Sequence, residues 1–340
     1  MKHFTLTVFL SFILSQVLIA QTPQQIADYF DKHPEADTNN DGTLTREEAR
    51  AHRRMSRDPS SGDNAPSRSA IRGAQISLTE SPIEEVALQS EDDVDLTFVY
   101  RKPVGEGPFP TIIFFHGGGS TTDQRTLQNN LRSGAIQTRF LEKDYLTVAS
   151  TRRPYWASRQ KERPHGFYDA VKDTKAIIKK VSTLPGVDPE NIILYGGSGG
   201  GILAIVSAAG SDIAAVIAGE PATVIPLDPK TGQTATPRDY ESIMEDPLSK
   251  YTAERKAEMQ SWMKEITCPI LLLQGNHVDL YKSNFELLIP EMQKLGKDIT
   301  AIEYPGLSHG FYWGTPRTGA TEETVEKVIT DSLEFLRKAQ

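Results

Sequence analysis

A serine stands between two glycines in the stretch Gly197-Ser198-Gly199, directly after a short apolar run at 191–195. The run favours a buried strand and the residues after the serine favour a helix, so the serine falls at the turn between them. Small neighbours allow the strained backbone that such a sharp turn requires. The pattern is typical of a nucleophile elbow, in which an exposed serine attacks a carbonyl carbon.

A second glycine cluster, His116-Gly117-Gly118-Gly119, follows the apolar run at 111–115. Attack by a serine creates a negatively charged oxygen, which backbone N–H groups stabilise where the main chain comes close to it. We expect Gly199 to supply one N–H group and Gly117 or Gly118 to supply the other. A simple tight turn is the alternative interpretation of the cluster.

A nucleophilic serine needs a histidine base and a carboxylate that orients the base. Two histidines follow the elbow: His277 in the loop after the apolar run 270–274, and His309 in a later turn. We predict His309 as the base, with His277 as the alternative. Asp279 is the carboxylate in the loop after 270–274, so we predict it as the orienting acid.

These turns fall at the ends of predicted strands. We predict strands at 84–89, 95–100, 111–115, 146–150, 191–195, 214–218, 270–274 and 300–304, and helices that include 166–184 and 322–338. Two hairpin-like strands followed by strand and helix in alternation predict an α/β fold. Its mostly parallel sheet would be covered by helices on both faces.

Along the chain come the glycine turn, the serine elbow, the loop with Asp279 and the turn with His309. With these four motifs in this order, residues 75–340 resemble the α/β-hydrolase superfamily. The stretch Tyr168-Asp-Ala-Val171 and residues 186–191 are similar to the catalytic domain of the prolyl oligopeptidase family and its esterase relatives. The resemblance implies a Ser-His-Asp triad that works through an acyl-enzyme. Residues from about 221 to 266 form a connection longer than a simple βα loop, which predicts a small lid. The HGGG turn also resembles hormone-sensitive-lipase-like esterases, although Gly197 and Gly199 depart from their usual elbow.

The expected substrate is a carboxylic ester. Peptidases of the prolyl oligopeptidase family generally carry a large propeller, which nothing in this sequence could form, so a serine carboxylesterase is favoured over a peptidase. A protein that only binds is the third hypothesis. A small-molecule ester or an acyl ester on a polysaccharide would suit a pocket of aromatic and basic side chains. The candidates for that pocket, with core packing as the alternative, are Arg153, Tyr155, Trp156, Tyr312 and Trp313.

Residues 21–52 contain the pattern of an EF-hand calcium loop. The predicted ligands are Asp37, Asn39, Asp41, Thr43 and Glu48. Oxygen donors at these spacings indicate Ca²⁺ in a structural or regulatory role, and no cofactor is expected for catalysis. Residues 53–74 are rich in Ser, Pro and Gly and predict a flexible linker.

Residues 1–20 begin with Lys2, continue with apolar runs and end at Ala20, which predicts a cleaved signal peptide. We therefore expect export to the bacterial periplasm or beyond, without a stable membrane anchor after cleavage. The net charge of -8 argues against nucleic acid as a partner. Cys268 is the only cysteine, and its position before an apolar run predicts a buried thiol.

Overall fold

The computed structural model describes residues 35, 37–38, 77–118, 123–155, 166–228, 246–275 and 278–339. The chain separates into two units, Met1–Arg68 and Ser69–Gln340. The predicted signal peptide, the linker and nearly all of the EF-hand lie outside the described residues. In the part that the structure does describe, no helix has both the length and the apolar character needed to span a bilayer.

An eight-stranded sheet forms the centre of the second unit. Its strands are β1 (Ile83–Gln89), β2 (Asp95–Arg101), β3 (Phe109–Phe115), β4 (Leu146–Ser150), β5 (Val187–Gly197), β6 (Ala215–Gly219), β7 (Ile270–Gln274) and β8 (Ile299–Glu303). They lie in the order β1-β2-β4-β3-β5-β6-β7-β8. β2 is antiparallel to both of its neighbours, and all other pairs are parallel. The predicted sheet is confirmed, and each predicted strand is present with its ends shifted by a few residues at most.

Helices connect the strands and cover the sheet. They are α1 (Gln124–Ser133), α2 (Ala135–Glu142), α3 (Phe167–Val181), α4 (Gly199–Ser207), α5 (Val224–Leu227), α6 (Ala253–Lys264), α7 (Val278–Lys282), α8 (Ile289–Lys294) and α9 (Glu322–Ala339). A π-helical segment, Ser283–Leu288, joins α7 to α8. Short 3-10 turns lie at Pro247–Lys250, Phe311–Trp313 and Pro316–Thr318. The predicted helices at 166–184 and 322–338 are confirmed as α3 and α9.

The central strands are buried on both faces, which explains why they read as continuous apolar runs. Successive residues of a strand face opposite sides. Ile113 and Leu194 enter the core with α3, α4 and α6, whereas Ile112 and Ile193 enter the core with α2 and α9. Because β3, β5, β6 and β7 are parallel, their carboxyl ends meet at one edge, and the candidate chemical groups follow these ends.

The insertion predicted at about 221–266 lies between β6 and β7. Its described part contains α5, the turn Pro247–Lys250 and α6. Met259 and Met263 of α6 are fully buried in the core, so this helix belongs to the body of the domain. A lid function stays a prediction for the remainder of the insertion.

The thiol of Cys268 is expected to be unreactive in the folded protein. Cys268 is buried as predicted, and burial raises the pKa of its thiol to about 11. Since the thiolate is the reactive form, a disulfide reagent at pH 8 should label it only after denaturation. Quantitative labelling under native conditions, measured against a sample in guanidinium chloride, would contradict the burial.

Candidate active site

Ser198 occupies the sharp turn between β5 and α4. Its backbone has φ 55° and ψ -122°, which places a residue other than glycine in a strained region. The Ser198 N–H group donates to the carbonyl of Gly219 at 2.8 Å, and its own carbonyl accepts from the N–H group of Gly201 at 2.9 Å. These bonds hold the turn from both sides and present the serine at the carboxyl edge of the sheet.

Close contacts account for the glycines around this serine. A Cβ on Gly200 would overlap the carbonyl oxygen of Phe115 at the end of β3. A Cβ on Gly197 would overlap the ring of Tyr312. The elbow is thus wedged between a neighbouring strand and an aromatic ring, and only glycine fits at either position.

The glycine turn after β3 lies directly beside the elbow. A Cβ built on Gly117 would lie 3.3 Å from the Cβ of Ser198. One built on Gly199 would lie 3.0 Å from the carbonyl oxygen of Gly118. The structure therefore brings together Gly117, Gly118 and Gly199 around Ser198, as the sequence predicts.

Arg152, just beyond β4, holds the glycine turn in place. Its guanidinium donates to the carbonyls of His116 at 3.1 Å and Gly118 at 2.6 Å, and it also contacts Nε2 of His116. Nδ1 of the same imidazole lies 2.9 Å from the carbonyl of Gly117. Three successive carbonyls are thus engaged by side chains. Because a trans peptide points its N–H group away from its carbonyl, the N–H groups of the same peptides point away from these side chains.

The imidazole of His116 is neutral and is held in this turn by hydrogen bonds. Burial, together with the nearby charge of Arg152, lowers the pKa of His116 to about 3. A neutral imidazole donates from one nitrogen and accepts at the other. With Arg152 donating to Nε2, the proton belongs on Nδ1, where it is donated to the carbonyl of Gly117. His116 therefore supports the turn and is not a second base.

His309 makes a short hydrogen bond to a buried carboxylate. Its Nδ1 lies 2.7 Å from Oε2 of Glu220, a residue that is fully buried. The other carboxylate oxygen, Oε1, accepts from the N–H group of Gly275 at 3.1 Å and from Nε2 of Gln274 at 3.3 Å. Nε2 of His309 faces the hydroxyl of Tyr312 at 3.4 Å. The arrangement fixes the tautomer of His309 with its proton on Nδ1.

Glu220 and Ser198 occupy equivalent places on adjacent strands. Gly197 of β5 pairs with Gly219 of β6, and each of these glycines is followed by one of the two residues. Glu220 also has a positive φ, at 41°. Its N–H group donates to Leu273 of β7 at 2.8 Å. The carboxylate is therefore mounted on the same sheet edge as the serine, one strand further along.

Among the described side chains, the carboxylate that contacts His309 is that of Glu220, whereas the sequence predicts Asp279 for this place. Asp279 lies in α7, and its side chain is outside the described part of the structure. In the sequence, Asp279 falls in the loop after β7, and the residues after β6 resemble the start of an insertion. A usable signal existed, because an acid follows immediately on the strand next to the elbow strand.

Arg153 belongs to the framework, and the prediction that it lines the substrate pocket is wrong. Its guanidinium pairs with Asp173 at 2.7 Å and with Asp92 at 2.5 Å, and the side chain is only 6% exposed. It also donates to the backbone carbonyl of Asp169 at 3.0 Å. With its donors turned to these partners, Arg153 joins α3 to the loop between β1 and β2.

The described aromatic candidates pack beneath the elbow, in agreement with the alternative interpretation. Tyr155 is fully buried, and its hydroxyl would lie 2.8 Å from a Cβ on Gly199. Tyr312 is buried too, and burial together with the charge of Glu220 raises the pKa of its phenol well above the usual value. Trp313 packs on Tyr195, with ring centres 5.2 Å apart. Trp156 lies outside the described residues.

The calcium prediction falls almost entirely outside the described part. Among its five proposed ligands, Asp37 alone is described. Over the described residues, no cluster of three or more His, Cys, Asp or Glu side chains could hold a metal ion. The EF-hand stays a prediction from the sequence.

The doubly covered parallel sheet, the serine elbow and the histidine–carboxylate pair define an α/β-hydrolase. Residues 98–279, more than half of the chain, match the BD-FAE family, and the chain belongs to that family. The match runs from β2 to α7 and includes Ser198 and Glu220.

Solved structures with the same fold include esterases and peptidases. Brefeldin A esterase, a bacterial homologue of human hormone-sensitive lipase, is 18% identical with a TM-score of 0.57, over 76% of this chain and 77% of that one. Thermogutta terrifontis esterase 2, phosphonylated by sarin, is 25% identical with a TM-score of 0.53, over 75% and 95%. Pyrococcus horikoshii acylaminoacyl peptidase is 15% identical with a TM-score of 0.55, over 76% and 41%.

Removal of a partner of Arg153 should reduce the stability of the protein more than its activity. Asp173→Asn leaves a buried guanidinium without its buried counter-charge and should lower the free energy of unfolding by about 3 kcal/mol. Asp92→Asn removes an exposed partner and should cost much less. Urea unfolding measures both losses. Equal losses, or an Asp92→Asn variant whose KM rises only for anionic esters, would contradict the framework role.

Proposed function

We propose that this protein is a serine hydrolase that cleaves carboxylic esters, with Ser198 as nucleophile, His309 as base and Glu220 as orienting acid. The observation that carries the proposal is the hydrogen bond of 2.7 Å between His309 Nδ1 and Glu220 Oε2. It lies at the same sheet edge as the strained serine elbow. Its geometry matches the base–acid half of a catalytic triad.

In the acylation step, His309 takes the proton of the Ser198 hydroxyl at Nε2 while the serine oxygen attacks the ester carbonyl carbon. The carbonyl oxygen becomes an oxyanion, which accepts hydrogen bonds from the N–H groups of Gly199 and of Gly117 or Gly118. His309 then returns the proton to the alkoxy oxygen as the C–O bond breaks. The alcohol leaves and an acyl-enzyme remains.

In the deacylation step, a water molecule gives a proton to His309 and its oxygen attacks the acyl carbon. Collapse of the second tetrahedral intermediate breaks the bond to Ser198, which takes the proton back from His309. The carboxylic acid is released. Throughout, Glu220 keeps the Nδ1 proton in place and stabilises the imidazolium that forms when Nε2 is protonated.

A peptidase is the second candidate because the fold is shared with acylaminoacyl peptidase. An ester is favoured because amide cleavage demands more of a site: the amine is a poor leaving group and must be protonated before it departs.

We extend the proposal to an exported enzyme whose substrates are acyl esters, free or attached to polysaccharides. Export is supported by the apolar segment within residues 1–20 and by the acidic net charge of -8, which suits a soluble exported protein better than one that binds nucleic acid.

A panel of short acyl esters, feruloyl esters, acetylated xylan and peptide arylamides separates the two candidate functions. Turnover of the arylamides above that of the esters would favour the peptidase.

Substitution of Glu220 should almost abolish ester hydrolysis. Ser198→Ala removes the nucleophile, and Glu220→Gln should lower kcat by about 10⁴-fold because the wrong imidazole tautomer is favoured. Asp279→Asn is the matched control at the position predicted from the sequence and should change kcat/KM only a few-fold. Turnover of an aryl acetate measures all three.

Labelling by a fluorophosphonate probe should require Ser198 and should slow greatly in Glu220→Gln. Circular dichroism checks that each variant is folded. If Asp279→Asn loses activity while Glu220→Gln keeps it, the assignment of the acid is wrong. If Ser198→Ala hydrolyses the ester at the wild-type rate, the proposed chemistry is wrong.

We also propose that Ca²⁺ bound at Asp37, Asn39, Asp41, Thr43 and Glu48 stabilises the N-terminal segment and takes no part in catalysis. A chelator should therefore lower the unfolding temperature of that segment and leave kcat for an aryl acetate unchanged. Asp37→Ala should show the same unfolding temperature with or without the chelator. Loss of turnover on chelation, restored by Ca²⁺, would contradict the structural role.

A further inference from the structure

We infer that Gln274, Asn284 and Thr223 form a buried row of positioning residues that sets the orientation of Glu220. The inference rests on the proposed function, since it assigns a purpose to groups that lie behind the proposed acid. None of the three contacts His309 directly in the described structure. Each acts through the next residue in the row.

The row is continuous and its distances are those of ordinary hydrogen bonds. The hydroxyl of Thr223 donates to Oδ1 of Asn284 at 2.7 Å, and Nδ2 of Asn284 donates to Oε1 of Gln274 at 3.1 Å. Nε2 of Gln274 then donates to Oε1 of Glu220 at 3.3 Å and to the carbonyl of Gly275 at 3.1 Å. The row therefore ends on the carboxylate that holds the base.

The direction of the row is fixed by its chemistry. If the amide of Gln274 were turned over, its oxygen would face two acceptors, the Glu220 carboxylate and the Gly275 carbonyl. Asn284 prevents this, because its NH₂ group donates to the oxygen of Gln274 and keeps that oxygen away from Glu220. Thr223 in turn supplies the donor that the oxygen of Asn284 requires.

All members of the row are in the protein interior. Thr223, Glu220 and Asn284 have no exposed surface, and Gln274 is 1% exposed. A buried polar group that loses its partner is costly, so the row forms as a unit or is disrupted as a unit. This coupling distinguishes a positioning network from separate structural bonds.

The segment that carries Asn284 is itself unusual. It is π-helical over Ser283–Leu288, and the N–H group of Ile289 donates to the carbonyl of Asn284, five residues earlier. Such turns are rare and are frequently found at functional sites. The neighbouring Ser283 is also fully buried, but its hydroxyl donates to the carbonyl of Leu280 and does not join the row.

The row has a direct consequence for the base. Gln274 and Gly275 together occupy Oε1 of Glu220, which leaves Oε2 for Nδ1 of His309. Loss of the Gln274 donor frees the Glu220 carboxylate to rotate, so the carboxylate orients the His309 imidazole in a smaller fraction of the molecules. The carboxylate also becomes a stronger acceptor and binds the imidazolium more tightly. Tyr312 is titratable too, and its hydroxyl lies 3.4 Å from Nε2 of His309.

The test uses Asn284→Ala and Gln274→Met, singly and together, with Ser283→Ala as the matched control on the same π-helical turn. For an aryl acetate, each single variant should lower kcat by about tenfold and change KM less than about twofold. The acidic limb of the kcat/KM–pH profile should move to higher pH in both. The double variant should lose little more than either single variant, because all act on one carboxylate.

Ser283→Ala should leave kcat and the pH profile as in the wild type. Thr223→Val keeps the side-chain shape. It should lower kcat and move the acidic limb of the pH profile to higher pH, both by less than Asn284→Ala does. It replaces Asn284→Ala as the decisive variant if the latter fails to fold. Additive losses in the double variant would overturn the inference. So would an Asn284→Ala variant with the wild-type kcat and pH profile, or a Thr223→Val variant with them if Asn284→Ala does not fold.

The two proposals fail in distinguishable ways. If Glu220→Gln is inactive while Asn284→Ala and Gln274→Met behave like Ser283→Ala, the proposed function stands and the positioning row is wrong. If Glu220→Gln keeps full activity, the assignment of the acid is wrong, and the role of the row is overturned with it.

Discussion

A carboxylate buried in a protein costs free energy unless donors surround it, and the site of this hydrolase is organised around one such group. Glu220 is fully enclosed, and its two oxygens receive bonds from Gly275, Gln274 and His309. Gln274 and Gly275 lie at the end of β7, and His309 lies in the turn after β8. The arrangement can form only when β6, β7 and the turn after β8 are all in place, so the site is a product of the complete sheet.

The ends of β5 and β6 are built in the same way, and this likeness places the serine and the carboxylate. Each strand ends in a glycine that leaves room for the ring of Tyr312, and each glycine is followed by a residue with positive φ. Two strained residues side by side require firm support. It comes from the backbone bonds of Ser198 to Gly219 and of Glu220 to Leu273, and from the packed ring beneath them. Tyr312 stands three residues after His309, so one turn supplies both the base and that ring.

Much of the fold and part of the site could be predicted from local patterns. Buried parallel strands read as apolar runs, and the glycine turns at Gly117 and around Ser198 follow such runs directly. Glu220 also follows an apolar run directly, but its role as the acid depends on which strands are neighbours and on a backbone conformation that no local pattern reveals. The framework role of Arg153 is not visible in local patterns either, because Asp173 lies on a helix and Asp92 in a distant loop, and only the folded chain brings them to the guanidinium.

The proposed chemistry depends on the proton between Glu220 and His309, and that proton can be observed directly. In protein labelled with ¹⁵N-histidine, the Nδ1–H group of His309 should give a strongly downfield proton resonance because it donates to a buried carboxylate. We expect this resonance to be present in the wild type, unchanged in Asp279→Asn, and lost or moved far upfield in Glu220→Gln. A resonance that persists in Glu220→Gln and disappears in Asp279→Asn would contradict the assignment of Glu220 as the acid.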